Sequence, residues 1–188
     1  INILYSSNDI TGLDELDVSL SGSISISDLN SLDTKTSGII TATVSEPDSK
    51  ALTALTNNNS NNAYTISIGN PSIEVTDLKL IDNATSVVVN TSGITTITGT
   101  LNDINTAYSS DGISGLGDKN IILSDSILVA SDLNKLDNNT SGTIDISSIT
   151  TITGTAADIN TAYASNGITG LGDEDVTISN TPTTEQIA

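Results

Sequence analysis

Three acidic loops hold the residues of this sequence that are best suited to chemistry. They read GLDELD at 12–17, GLGDKN at 115–120 and GLGDED at 170–175. Carboxylate oxygens are the ligands that Ca²⁺ prefers, so the loops predict a calcium site. The candidate ligands are Asp14, Asp17, Asp118, Asp173 and Asp175. The sequence contains neither an EF-hand nor a GGxGxD motif, which leaves an alternative open: glycine turns whose acids are solvated at the start of a strand.

A second set of aspartates brackets the predicted short helices. The first member of each pair is expected to interact favourably with the positive end of the helix, whereas an acid near the C-terminus is mildly unfavourable. We therefore expect the second member to bond the following Asn-Thr-Ser turn or to contribute to a metal site between neighbouring coils. The pairs are Asp28 and Asp33, Asp77 and Asp82, and Asp132 and Asp137.

Catalysis has few residue types to draw on. The sequence lacks His, Cys and Arg, so the usual pairs of nucleophile and base are missing. Paired carboxylates remain, as in glycosidases, but they recur in each repeat, whereas an active site is normally built once. We expect no enzymatic activity and no required cofactor, with Ca²⁺ as the one candidate ion.

The charge balance excludes several partners. Five Lys stand against 23 Asp and Glu, which gives a formal net charge of −18. Such a surface repels the phosphates of nucleic acids and of anionic membranes. No apolar run reaches the length of about 18 residues that suggests a membrane-spanning helix, so membrane insertion is not expected either.

The chain repeats itself with a 55-residue period. TITGTLNDINTAYSSDGISGLGD at 96–118 returns as TITGTAADINTAYASNGITGLGD at 151–173. An earlier and more divergent copy, ISDLNSLDTKTSG at 26–38, lies less than one period before its counterpart at 75–87. The shortfall lies between Ser37 and Ser45, where we predict that one strand segment has been deleted.

Within each period the sequence alternates strand and helix signals. Segments rich in β-branched residues are predicted to be strands broken by polar corners at Gly69-Asn70, Ser124-Asp125 and Ser147-Ser148. Short helices are predicted to start at caps, each with an acid in the first turn. Those caps are Thr155, Thr100 and Ser45, with Ser131, Ser27 and Thr76 in the other helices. Leu133 with Leu136, and Ile159 with Ala162, should form the buried helix faces.

These signals predict an α/β repeat solenoid of about seven coils, each with short parallel-stacked strands and one short α-helix. A half-period of about 27 residues cannot bury its own apolar face, so neighbouring units must cover one another. Strands lie about 4.8 Å apart and helices roughly 8–10 Å, so two strands per helix favour a straight stack over a curved one. We predict one array over 1–188, with approximate units 1–20, 21–75, 76–130 and 131–185. The start at Ile1 and the end at TTEQIA suggest a segment of a longer protein.

The repeated phrases resemble a known class of sequence. The GTAAD cap at 154–158, the GITGLGDE turn at 167–174 and SDLNKLDNNTSGT at 131–143 are similar to the tandem repeats of very large extracellular proteins of cyanobacteria. Some members are associated with the cell surface and with motility, and others are described as adhesins. The resemblance implies an extracellular or cell-surface location. It carries no calcium ligand over to this chain, because the nonapeptide motifs are missing.

We therefore expect a structural segment of a cell-surface protein, as a stalk, a filament or a surface-layer element. The alternative is an adhesin or lectin-like module that binds Ca²⁺ or carbohydrate through its acidic Gly-Leu-Gly-Asp loops. The expected partners are other copies of the protein, in filaments or a surface array, and surface polysaccharide.

Overall fold

The computed structural model describes residues 12–22, 24–58 and 61–180, and shows a mixed α/β fold with parallel sheets. Its helices are short, four to nine residues each. They are α1 (Ile26–Asp33), α2 (Ser49–Leu52), α3 (Val75–Asn83), α4 (Leu101–Tyr108), α5 (Ala130–Asp137) and α6 (Ala156–Ala164).

The strands are equally short and are separated by corners or helices. They are β1 (Val18–Ser19), β2 (Ile40–Glu46), β3 (Ala63–Ile68), β4 (Ser72–Glu74), β5 (Val89–Asn90), β6 (Thr96–Gly99), β7 (Ile113–Ser114), β8 (Asn120–Leu123), β9 (Ile127–Val129), β10 (Ile144–Asp145), β11 (Thr151–Gly154), β12 (Ile168–Thr169) and β13 (Asp175–Ile178).

The chain divides into two compact units that alternate along the sequence. Unit 1 comprises Ile1–Asn70, Asp77–Gly93 and Asp111–Ser114. Its described strands form a sheet of order β1-β2-β3 and a pair β5-β7, all parallel. Val18 pairs with Ile40 in the sheet, and Val89 pairs with Ile113 in the two-stranded pair.

Unit 2 comprises Pro71–Thr76, Ile94–Ser110 and Gly115–Ala188. Its described strands form a five-stranded parallel sheet of order β12-β10-β8-β6-β4 and a three-stranded one of order β13-β11-β9. One isoleucine of each strand in the larger sheet is buried in a continuous column, which fills the core with identical side chains. The column consists of Ile73, Ile97, Ile121, Ile144 and Ile168.

The strands of unit 2 do not follow the half-period that the sequence suggests. Ile97 pairs with Ile121 and Thr151 with Asp175, and this strand offset is shorter than half of the period. Two such offsets fall short of one full period, and an extra strand takes up the remainder. Three strands, β7, β8 and β9, separate α4 from α5, whereas two, β10 and β11, separate α5 from α6. The prediction of two strands for each helix is therefore wrong between α4 and α5.

Several local predictions are confirmed. The corners at Gly69-Asn70, Ser124-Asp125 and Ser147-Ser148 each lie between two strands. Leu133, Leu136, Ile159 and Ala162 are buried. Thr100 and Thr155 cap α4 and α6, accepting hydrogen bonds from the amides of Asp103 and Asp158.

The other predicted caps are wrong. Asp48, not Ser45, caps α2, because its own carboxylate accepts from the Lys50 amide at 3.0 Å. Ser25 caps α1, so Ser27 lies in the first turn. Ser131 and Thr76 also lie inside their helices, because α5 and α3 follow directly on strands β9 and β4. Among the described residues, no helix is long and apolar enough to cross a membrane.

Candidate functional site

The first acidic loop, GLDELD, is tied to the turn that follows α1. The backbone carbonyl of Asp14 accepts from the Ser37 amide at 2.6 Å and from the Ser37 hydroxyl at 3.0 Å. Asp17 Oδ1 accepts from the Ile39 amide at 2.7 Å. The Asp17 carboxylate therefore holds backbone in place, a structural use that was not predicted.

The second loop, GLGDKN, contains a buried cation. Lys119 Nζ lies 2.6 Å from Asp118 Oδ1, and the Lys119 side chain is 4% exposed while that of Asp118 is 74% exposed. The hydrogen bond from Lys119 and its charge hold the pKa of Asp118 below the usual value. The hydroxyl of Tyr108, at the end of α4, donates to the Leu116 carbonyl at 2.9 Å and fixes the loop against its helix.

The third loop, GLGDED, places an acid in the slot that Lys119 fills one period earlier. Glu174 is largely buried and accepts from the Tyr163 hydroxyl and from the Gly172 amide, the latter at 2.8 Å. Burial would raise the pKa of Glu174, but these hydrogen bonds outweigh it and lower the pKa. Burial and the bond to Glu174 raise the pKa of Tyr163 to about 12.

The loops do not assemble one carboxylate cluster. Within residues 12–22, 24–58 and 61–180, no three acidic side chains form a group that could hold a metal ion. The five aspartates predicted as ligands lie in three separate loops, and two of them have the protein partners described above. Calcium binding stays a prediction. The pairing of Glu174 with Tyr163 was missed, although Tyr163 precedes Glu174 by the same interval that separates Tyr108 from Lys119.

Asp33 and Asp137, at the C-termini of α1 and α5, bond a later segment of the chain. Asp33 is buried and accepts from the Thr56 hydroxyl at 2.6 Å and from the Asn62 amide group at 2.6 Å. Asp137 accepts from the Ser165 hydroxyl at 2.8 Å. The expected bond to the adjacent Asn-Thr-Ser turn is therefore replaced by bonds to residues 23–29 positions later.

The threonines of the Thr-Ser phrases connect in the opposite direction. Thr36, Thr85 and Thr140 each donate at 2.8 Å to a carbonyl 20 or 21 residues earlier in the chain. Each hydroxyl also accepts from the amide two residues later. One side chain thus closes its own turn and bonds the preceding segment.

A third set of contacts joins successive helices within each unit. In unit 1, Asn30 donates to the Ala54 carbonyl at 2.6 Å, and Lys50 pairs with Asp77 at 2.9 Å. In unit 2, Asn105 donates to the Asp132 carbonyl at 3.2 Å, and Asn134 to the Asp158 carbonyl at 2.9 Å. Lys50 and Asn105 are one period apart, so two residue types perform the same task in one slot.

Polar residues just after three strand ends supply a fourth set. Asn70, Asp125 and Asn180, each one period from the next, accept from the first amide of the preceding helix: Ser49 in α2, Leu101 in α4 and Ala156 in α6. The distances are 2.7, 2.7 and 2.8 Å. An amide that a helix N-terminus cannot satisfy internally is satisfied by the next segment.

Comparison with protein-family models, with curated proteins and with solved structures gives no match. The geometry therefore carries the functional argument.

Proposed function

We propose that this chain is a structural repeat segment of an extracellular cell-surface protein, acting as a stalk, filament or surface-layer element without catalytic activity. The observation that carries the proposal is the use of the recurring polar residues. Slots one period apart, such as Lys50 with Asn105 and Thr85 with Thr140, bond neighbouring segments. Recurrence of this kind favours cohesion between repeats, as a solenoid of about seven coils would require.

The surface charge supports the same proposal. A net charge of −18 costs stability through self-repulsion, and the cost falls as ionic strength rises. A salty extracellular medium therefore suits the chain. The resemblance of the repeated phrases to cyanobacterial surface proteins points to the same location, and an array of this kind would contact other copies or surface polysaccharide.

Imaging of intact cells tests the location. An antibody against residues 12–180 should label the surface of unpermeabilised cells that produce the parent protein. Labelling that requires permeabilisation, with all signal in the cytoplasm, contradicts the proposal.

Single-molecule stretching tests the mechanical role. Replacing the helix-to-helix donor Asn134 by Ala should lower the unfolding force, because its bond to the Asp158 carbonyl is lost. Asn138→Ala is the matched control, since among the described residues the Asn138 side chain bonds within its own helix end, to the Asn134 carbonyl. Equal unfolding forces for both variants would contradict a mechanical role for the hydrogen bonds between helices.

A further inference from the structure

A groove of about 480 Å³ lies in unit 2 between helix α4 and strand β9. Its volume is within the range of about 300–1,000 Å³ that is usual for ligand pockets. Ile127 and Val129 of β9 line one side, and Asn102 and Thr106 of α4 line the other. The remaining residue of β9, Leu128, is buried.

The strand side of the groove is unusually apolar for an exposed surface. Ile127 is 60% exposed and Val129 is 44% exposed, whereas Leu128 between them is 2% exposed. Alternate residues of a strand point to opposite faces, so the two exposed side chains form one apolar strip.

β9 also has a free edge. In the described sheet it pairs only with β11, and the Thr151 amide donates to the Ser126 carbonyl at 3.1 Å. In a parallel ladder this register turns the backbone groups of Leu128 toward β11 and those of Ile127 away from it. An edge strand with unpaired backbone groups and exposed β-branched side chains can accept an additional strand.

The apolar strip is not required by the repeat. One period earlier, the counterparts of Ile127 and Val129 are Ser72 and Glu74 in β4. The contacts that stabilise the repeats recur with the period, as Thr85 and Thr140 show. A feature that occurs in one copy and is polar in the other points to a role outside the scaffold.

Charge restricts the chemistry of an occupant. Asp125 and Asp132 line the groove with one lysine, Lys135, and the chain as a whole carries a net charge of −18. Cationic groups are attracted to such a surface and anionic groups are repelled. An extended segment with β-branched side chains would cover the strip, and flanking lysines would approach the two aspartates.

We propose that this groove binds an extended segment of another protein, with alternating β-branched residues and flanking lysines, which adds to β9 as an extra strand. Main-chain hydrogen bonds to the β9 edge and contacts with Ile127 and Val129 supply the affinity. The inference goes beyond a structural role, since it gives the array a docking position for a cationic partner.

The test uses the whole chain and the synthetic peptide Lys-Thr-Val-Thr-Val-Lys, with binding followed by NMR chemical shifts. We expect saturable shifts in β9 and α4. The double variant Ile127→Ser with Val129→Thr should bind at least about tenfold more weakly. It removes the apolar strip without a change of charge, and an unchanged circular dichroism spectrum confirms that it folds. Asp132→Asn is a second variant, expected to weaken binding of the lysine peptide and not of one with neutral ends.

Other results overturn the proposal. Equal affinity of the double variant and the parent chain would place the peptide elsewhere. Tighter binding of a peptide with glutamates in place of the lysines would contradict the charge argument. Shifts in β9 caused by a neutral oligosaccharide and not by the peptide would identify a carbohydrate site. Concentration-dependent sedimentation that the double variant abolishes would identify a second copy as the occupant. None of these results bears on the cellular location.

Discussion

Tyr64 places a phenolic hydroxyl inside the aliphatic core of unit 1. The side chain is fully buried, and its hydroxyl has no hydrogen-bond partner among the described residues. Burial, together with the charge of Asp33, raises the pKa of Tyr64 well above its usual range. A buried hydroxyl without a partner costs about 1–3 kcal/mol.

Replacing Tyr64 by Phe should therefore stabilise the chain or leave it unchanged. The ring keeps its contacts, and the uncompensated hydroxyl is removed. Urea denaturation should give a free energy of unfolding equal to that of the parent or higher by about 1 kcal/mol. A clear loss of stability would show that the hydroxyl has a partner in solution. Tyr108→Phe is the control, since it removes a made hydrogen bond and should destabilise.

The contact between Tyr163 and Glu174 makes two pH-dependent predictions. The raised pKa of Tyr163, about 12, should fall in Glu174→Gln, because the hydrogen bond to a charged acceptor and the adjacent charge are removed. It should stay above the ordinary value, because burial remains the largest cause. Absorbance titration at alkaline pH measures it, and Tyr163→Phe identifies the transition. An unchanged titration would contradict the contact.

The same carboxylate should make stability depend on pH in the acid range. The pKa of Glu174 is lower in the folded chain than in the unfolded one. Its contribution to stability is therefore present above the unfolded pKa of about 4.3 and is lost as pH falls through the folded pKa. Melting temperatures measured between about pH 3 and pH 7 should fall less steeply for Glu174→Gln than for the parent. Parallel curves would contradict this contribution.

At the scale of elements, the polar residue that follows β3, β8 or β13 completes the cap of the helix before that strand. Asp125 accepts from the first amide of α4, which Thr100 does not satisfy because its side chain accepts from Asp103. Asp125→Ala should lower the free energy of unfolding by about 1 kcal/mol. Asp125→Asn is the matched control, since Asn70 and Asn180 perform the same task. Equal losses in both variants, measured by urea denaturation, would show that charge and not the cap is responsible.

Elements with local signals could be predicted from the sequence, and those fixed by pairing could not. Thr100 and Thr155 contain their cap signal within a single helical turn, and the corner at Ser124-Asp125 interrupts a β-branched run. The offset between paired strands could not be predicted in this way, because the repeat period does not show how the period is divided into strands. Backbone pairing divides it into two offsets of nearly equal length, from Ile97 to Ile121 and from Ile121 to Ile144, with a remainder left for an extra strand. The caps predicted at Ser131 and Thr76 are wrong because a strand continues directly into each helix. The cap predicted at Ser27 is wrong because an earlier serine, Ser25, caps that helix.

The residue types of the candidate site could be predicted from the sequence, but their hydrogen-bond partners could not. The acids of the three loops are visible in the sequence, and so is the spacing of Tyr108 and Tyr163. The partners of Asp33 and Asp137, however, lie 23–29 residues further along the chain. The separation along the chain between each aspartate and its partners depends on the strand offset. If the predicted offset is slightly wrong, the contacts between segments are predicted wrongly as well.

At the scale of the whole molecule, charge dominates the response to solvent. A net charge of −18 predicts that the melting temperature rises with NaCl as repulsion is screened. Charge screening alone would make millimolar Ca²⁺ and Mg²⁺ act alike. A rise specific to Ca²⁺, reversed by EDTA, would instead support the adhesin alternative and calcium binding by the acidic loops.

The register predicts which deletions the chain tolerates. Removing residues 96–150, one full period, joins Thr95 to Thr151 and replaces one TITG strand by the other, so that β4 faces the strand that β9 faces now. This chain should unfold cooperatively. Its free energy of unfolding should depend less steeply on urea concentration, because less surface is buried. Removing 96–143 instead deletes less than one period and brings Ile144 opposite Ser72 and Asp145 opposite the buried Ile73, so the column of isoleucines is out of register. That shorter deletion should lose cooperativity, although it removes less of the protein. If both chains melt alike, neighbouring segments do not recognise one another through the periodic pattern of contacts.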